Sequence, residues 1–357
     1  MTRITAVRTT FPPNRYPQAE LTDMAARLCL PEGADRRLLD RLHRSARVEF
    51  RNLALPIEQY DKLDGFGAAN DAFISTAVDL GAECVAAAVE AAGLTPADVD
   101  MIMFTSVTGI AAPSVDARLV ERLGLRPDVK RVPVFGLGCV AGAAGIARLY
   151  DYLRGWPDHV AVLLSVELCS LTVQRGDVSP ANLVASALFG DGAAAVVACG
   201  EGRRPGAGPA AGPGGTVLAT RSHLYPGSGH VMGWQVRDTG FGVLLDASVP
   251  DVVRRHLADD VHGFLADHGL TARDITAWVC HPGGPKVLEA VAETLALPAG
   301  ALDLTWRSLA ANGNLSSASV LHVLGDTLAL RPPEPGTYGL LVAMGPGFCS
   351  ELVLLRW

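Results

Sequence analysis

The 357-residue chain carries 30 Lys and Arg against 37 Asp and Glu, a formal charge of -7, with 49% hydrophobic and 19% charged residues. Such a chain buries a large core and allows two domains or one doubled unit, and it lacks the polarity of a disordered one; its acidic balance excludes a general nucleic-acid-binding surface, which needs clustered cations. No run reaches the roughly 18 apolar residues of a membrane span, MTRITAVRTTFPPNRYP lacks the core of a signal peptide, and seven cysteines without CxxC pairs read as reduced cytoplasmic thiols, not a disulfide framework or zinc site.

In chain order, STAVDLGAECVAAAVEAAGL (75–94) repeats apolar residues three and four apart and predicts a helix, leading through TPADVD into the buried strand DMIMFTSV (100–107). VFGLGCVAGAAG (134–145) sets Cys139 at a strand-to-helix turn, where unpaired N–H groups and the helix dipole favour a thiolate. A buried structural cysteine is the alternative for Cys139 taken alone. HVAVLLSVE (159–167) and AAAVVAC (193–199) predict further buried strands, and ALFGDGAAAVV places Phe189 and a GDG turn before the second.

GEGRRPGAGPAAGPGG (200–215) is too rich in Gly and Pro for helix or strand and divides the chain into units 1–215 and 216–357. The second unit repeats the order of the first: a helix (249–270), the segment TARDIT, and the strand ITAWVCHP (275–282). His281 ends that strand before a Pro-Gly-Gly turn, where it projects toward a cleft. The histidines at 43, 256, 262 and 268 lie in charged helical surroundings and read as solvated. ANGNLSSASVLHVL (311–324) opens a helix, so Asn314 is either its cap or an amide donor to a developing oxyanion. YGLLVAMG (338–345) and SELVLLRW (350–357) close the chain as strands around a Gly-Pro loop. The alternation of elements is α/β. There is no P-loop and no GxGxxG after the first strand.

These motifs together, from TSVTGIAAPSVDARLVERLGLRPDVKRVPVFGLGCVAG through SVELCSLTVQRGD, ALFGDGAAA, CHPGGPKVLEAV and ANGNLSSASVLHVL to MGPGFCSELVLL, resemble the type III polyketide synthases, the chalcone-synthase-like branch of the thiolase superfamily. The resemblance implies a duplicated thiolase fold (αβαβα, two similar halves with central mixed sheets) and a homodimer. It implies a catalytic triad of Cys139, His281 and Asn314 acting on malonyl-CoA and an acyl-CoA starter without metal or redox cofactor. Cys139 would carry the growing acyl chain, and His281 and Asn314 would stabilise the enolate left by decarboxylation. Phe189 matches an aromatic residue at the junction of CoA tunnel and cavity, and an ungapped alignment puts Gly242, with Phe241 before it, at a second such position. Cys169, Thr172, Ala185, Ser316 and Met344 would shape the cavity, and Arg47 and Arg51 would bind CoA phosphates. The bacterial look of the sequence favours an aliphatic starter and a pyrone or resorcinol product, with malonyl-only synthesis of tetrahydroxynaphthalene as the alternative. A ketoacyl-carrier-protein synthase III, condensing once, and a catalytically dead thiolase-fold scaffold are the other readings.

Overall fold

A computed structural model describes residues 1–203 and 214–357, so most of the Gly/Pro segment at 200–215 lies outside the described residues. The strands are β1 (Thr2–Thr10), β2 (Asn14–Pro17), β3 (Phe50–Leu53), β4 (Met101–Thr105), β5 (Lys130–Val134), β6 (Val160–Leu168), β7 (Asp191–Gly200), β8 (Thr216–Leu224), β9 (Met232–Arg237), β10 (Gly240–Leu245), β11 (Ile275–Cys280), β12 (Tyr338–Gly345) and β13 (Cys349–Arg356). The helices are α1 (Gln18–Cys29), α2 (Arg37–Ser45), α3 (Ile57–Tyr60), α4 (Gly65–Ala91), α5 (Val115–Leu123), α6 (Ala141–Gly155), α7 (Pro180–Leu188), α8 (Val249–Ala266), α9 (Pro285–Thr294), α10 (Asp303–Asn312) and α11 (Ser317–Leu330).

Nine strands form one mixed sheet in the order β11-β12-β13-β8-β1-β7-β6-β4-β5. The order doubles about the β1/β8 contact. β4 runs parallel to β6 and β6 antiparallel to β7, just as β11 runs parallel to β12 and β12 antiparallel to β13. The repeat reaches single residues: Thr95 with Asp98, and Thr271 with Asp274, each close a capping box on a short 3-10 turn leading into β4 and β11. The duplicated thiolase architecture expected from the sequence is therefore present, while β1 and β8, which meet at its centre, carried no sequence signal that singled them out.

Each sheet half is buried on both faces, which is why its strands read as unbroken apolar runs. In β6, Val162, Leu164 and Val166 face one cluster with α4 and α5, and Ala161 and Leu163 face a central cluster. In β12, Leu341 and Ala343 face that same central cluster, and Leu340, Val342 and Met344 face α8 and α9. The layers are thus α–β–α–β–α, with α6 and α11 in the middle. Among the described residues α4 is the one helix long and apolar enough to cross a membrane, although Asp71, Asp79, Glu83 and Glu90 interrupt its apolar residues; half of that stretch is buried, with Phe73, Ala77, Leu80 and Cys84 against β1, β6 and β7.

The two central helices fix the site. A Cβ on Gly142 of α6 would stand 2.3 Å from the Ser317 carbonyl oxygen and 2.8 Å from Val320, so only glycine lets the start of α11 lie against α6. Both N-termini, one from each half of the chain, converge where Cys139 and Ser316 meet.

Candidate active site

Cys139 occupies a one-turn 3-10 segment, Gly138–Val140, that runs directly into α6. Gly138 has φ +57, and its Cβ would sit 2.6 Å from the ring of Pro346; this left-handed, crowded position requires glycine. On the other side Gly345 packs against the backbone nitrogens of Val140 and Cys139, where a Cβ would fall at 2.9 and 3.3 Å. The C-terminal Gly-Pro-Gly loop is thereby seated on the cysteine turn. Cys139 is buried, and its thiol donates to the Ser316 hydroxyl at 3.7 Å.

His281 follows the last residue of β11, and its amide donates to Val342 O at 2.9 Å, which ties it to the neighbouring strand β12. The imidazole is buried, and Nδ1 has no partner among the described residues. Asn314 lies between α10 and α11. Its amide donates to Leu188 O (2.8 Å), and its carbonyl accepts from Gly190 N (3.0 Å), a short parallel bridge that brackets Phe189. Ser316, not Asn314, stands at the N-cap of α11, and the Asn314 side chain holds the backbone just before that helix. Oδ1 accepts from Ser316 N (2.8 Å) and from the Ser319 hydroxyl (3.4 Å) at the start of α11. That bond turns Nδ2 the other way, with one long contact to Gly283 O at 3.5 Å in the turn after His281.

Burial opposes charge throughout this site. It pushes the Cys139 thiol up to about 12, the Ser316 hydrogen bond lowering it only in part and the nearby Glu167 charge raising it further. It pulls the His281 imidazole down to about 3. Burial therefore works against the thiolate expected from the helix N-terminus.

Ser316 is held at φ +47, a left-handed conformation that costs a residue with a Cβ about 1–3 kcal/mol. Its neighbours enforce it. Ser317 donates to Glu167, which also accepts from Val107 N (3.1 Å), Thr108 Oγ1 (3.0 Å) and Ser106 Oγ (3.3 Å). Glu167 is wholly buried, and desolvation raises its carboxyl above the usual range. The sequence reading passed over this residue, although a lone carboxylate inside VAVLLSVEL was a signal: a buried acid must be hydrogen-bonded.

A narrow cavity of about 50 Å³ lies between α1, β3, α7 and β10, and Cys139, His281 and Asn314 are not among its lining residues. Phe189, Cys169, Thr172 and Ala185, expected to shape a substrate cavity, do line it. Met344 does not: it faces α8 and α9 on the opposite side of β12 from Ala343. Gly242 does not either; its open side is covered by the Arg237 guanidinium, 2.7 Å from where a Cβ would be. Alternation along β10 puts Phe241 on the face of Val243, so Phe241 joins Phe66, Phe135 and Trp234 in an aromatic cluster, and Trp234 and Val243 supply the wall. Trp234 and the α1 residues Leu21, Met24 and Leu28 were missed because their place depends on long-range docking.

The expected cations separate. Arg47 is exposed, paired with Glu289 at 3.2 Å and stacked over Trp306. Arg51 is buried in the cavity wall, away from any solvent-facing phosphate site. His43, read as solvated, is also buried; it bonds Thr22 (2.9 Å) and Ser186 (3.2 Å), because α2 packs its inner face on α1 and α7.

Comparison with known proteins agrees with this architecture. Residues 1–202 match the family "Chalcone and stilbene synthases, N-terminal domain", and residues 198–357 match its C-terminal counterpart. The chain is 61% identical over 358 aligned positions, covering 100% of it and 93% of the relative, to 1,3,6,8-tetrahydroxynaphthalene synthase of Streptomyces peucetius subsp. caesius. It is 36% identical to a putative chalcone synthase of Bacillus subtilis, covering 89% of each. The crystal structure of the Streptomyces coelicolor tetrahydroxynaphthalene synthase, a bacterial type III polyketide synthase, superposes with TM-score 0.91 at 29% identity over 99% of each chain. With the duplicated fold and the two family matches spanning its whole length, the chain belongs to the chalcone and stilbene synthases and is a type III polyketide synthase, an acyltransferase that forms carbon–carbon bonds.

Proposed function

We propose that this synthase condenses malonyl-CoA alone, using it as both starter and extender, into an aromatic product of the tetrahydroxynaphthalene type. The support is the whole-length likeness to the Streptomyces peucetius enzyme. The cavity wall is mainly apolar, with Leu21, Met24, Leu28, Leu53, Trp234 and Val243, and Arg51 adds a buried charged group to it. On the whole-length likeness the malonyl-only alternative is preferred to the aliphatic starter.

Cys139, His281 and Asn314 carry the reaction in this reading. The Cys139 proton passes to His281 as the thiol attacks a CoA thioester, so opposite charges arise together in a site that burial closes to either one singly. Cys139 keeps the acyl group and CoA leaves as its thiol. A malonyl thioester then loses carbon dioxide, and the electron pair of the broken bond becomes an enolate whose oxygen accepts from His281 and from Asn314 Nδ2. The enolate carbon attacks the Cys139 thioester, forms the new bond and releases the thiolate for the next round. No metal or redox cofactor takes part. A starter that contributes two carbons once its own carboxyl is lost, followed by four two-carbon extensions, gives the ten carbons of a naphthalene.

Two assembly features belong to the same reading. Arg47, at the surface, is retained as a CoA-phosphate cation, and Arg51 is withdrawn from that role. A homodimer is proposed through the exposed outer strand β5, where Val132 and Phe135 are 40% and 50% exposed. The seven free cysteines accord with a reducing, cytoplasmic setting.

The test is mass spectrometry of products from malonyl-CoA alone and with acyl-CoA starters from acetyl to palmitoyl. An aromatic ten-carbon product from malonyl-CoA alone, lost in Cys139→Ala, is expected. Alkyl pyrones or resorcinols appearing only with added starter would restore the first alternative, and dependence on a carrier protein would restore the single-condensation one.

A further inference from the structure

Arg51, the cation displaced from its expected role, is anomalous. It lies on β3 and is 4% exposed. Nε donates to Gln18 Oε1 (3.2 Å) and Nη1 to Phe189 O (2.7 Å), whereas Nη2 has no hydrogen-bond partner and no carboxylate stands within 4.0 Å among the described residues. Asp191, the acid whose field it feels most, has its oxygens taken by Ser170 N (2.8 Å), the Ser170 hydroxyl and Ala54 N (2.6 Å). Burying a charge without a counter-ion is costly, so a buried unpaired guanidinium in a cavity wall is a group arranged for a ligand.

It also cannot swing away. Its aliphatic stem fills the space beside Gly190 and Gly313, where a Cβ would come within 3.3 and 2.9 Å of it. Burial lowers it only to about 10, so it stays protonated at neutral pH.

We propose that Arg51 is a substrate-binding residue that hydrogen-bonds the β-diketone oxygens of the growing polyketide chain and holds that chain extended until its full length is reached. The proposal rests on the polyketide reading above and names the group that recognises the intermediate. Each condensation leaves a ketone two carbons from the last. The methylene between two ketones is acidic, and the enol or enolate form sets two oxygens on one side, within reach of the N–H groups of Nη2, the arm of the guanidinium fork that Gln18 and Phe189 leave free. An alkyl tail offers that fork nothing. A CoA phosphate requires a cation at the surface. A malonyl carboxylate paired with a guanidinium would be stabilised against losing carbon dioxide, the reverse of what the extender step needs. A chain released from Arg51 is free to fold back and lactonise early.

The test compares wild type with Arg51→Met, Arg51→Lys and Arg51→Gln, reading the ratio of full-length product to short pyrones by mass spectrometry, with a melting temperature for each. In Arg51→Met the ratio is expected to fall by about ten-fold or more, the worth of one hydrogen bond to a charged group. Arg51→Lys, which keeps the charge but not the fork, falls in between. Slower extension by itself also favours early release, so malonyl-CoA decarboxylation is measured in the same variants, and the proposal requires the ratio to fall further than that rate does. An unchanged ratio in Arg51→Met, or equal rate losses in all three variants with the ratio intact, overturns the proposal; where Arg51→Met does not fold, the ratios in Arg51→Lys and Arg51→Gln decide it. A wild type needing an acyl starter overturns the malonyl-only reading instead and leaves the ratio measurable, since its extended chain carries the same diketones.

Discussion

Asn314→Ala separates a structural task seen at one end of the amide from the catalytic task proposed for the other. Its Oδ1 accepts from Ser316 N at 2.8 Å, and losing that bond leaves a buried backbone N–H unpaired just ahead of α11. An unpaired buried donor costs about 1–3 kcal/mol, which in a chain of this size lowers the melting temperature by only a few degrees. Its Nδ2 makes a single long contact, 3.5 Å to Gly283 O, and so is available to a developing enolate oxygen. Removing such a donor typically costs roughly 100- to 1,000-fold in rate, about 2.7–4 kcal/mol of barrier. The variant is therefore expected to remain folded, to melt slightly earlier, and to release carbon dioxide from malonyl-CoA at least about 100-fold more slowly than wild type. Decarboxylation is followed by acetyl-CoA formation, and stability by thermal melting of the same preparation. A rate loss below about ten-fold beside a clear fall in melting temperature would leave Asn314 with its structural role alone.

Iodoacetamide should label Cys139 slowly at neutral pH and about ten-fold faster per pH unit above it, because the thiol is pushed up to about 12; fast labelling independent of pH from about 5 to 8 would mean a preformed thiolate–imidazolium pair instead. Gly142→Ala should lose about 1–3 kcal/mol of stability, since the new methyl meets the Ser317 carbonyl at 2.3 Å, and unchanged denaturant melting would refute the tight seat of α11 on α6. His43, His281 and His322 are held by burial near 3, 3 and 4 against an ordinary 6.5. The unfolded chain takes up those protons first, so stability present above pH 6.5 falls as pH drops, by about 1.4 kcal/mol per unit for each histidine. Asp191, raised to about 6, works the other way and offsets part of the loss. Melting at pH 7.5 and pH 5 should differ by several kcal/mol, and a flat profile would show that these imidazoles are not shielded.

The sequence by itself determined the element types and singled out the candidate reacting groups. Apolar runs at β4, β6, β7, β11, β12 and β13 marked strands buried on both faces, the two Thr-x-x-Asp turns marked the repeat, and Cys139, His281 and Asn314 each stood at an element boundary with distinctive neighbours. Such signals are local: propensity, period and capping act over a few residues. Tertiary structure decided which face each residue shows and what covers it. Met344 differs from Ala343 only by the alternation of β12, and the register of the sheet sends it away from the site. Gly242 is closed by Arg237 within its own hairpin, and His43 and Arg51 sit in basic sequence yet are buried because α1, α2 and α7 close over them. The surroundings of the thiol were decided the same way. A helix N-terminus is visible in sequence, but the desolvation that works against it comes from the packing of α6, α11 and the 345–347 loop around Cys139, contacts between residues more than a hundred positions apart.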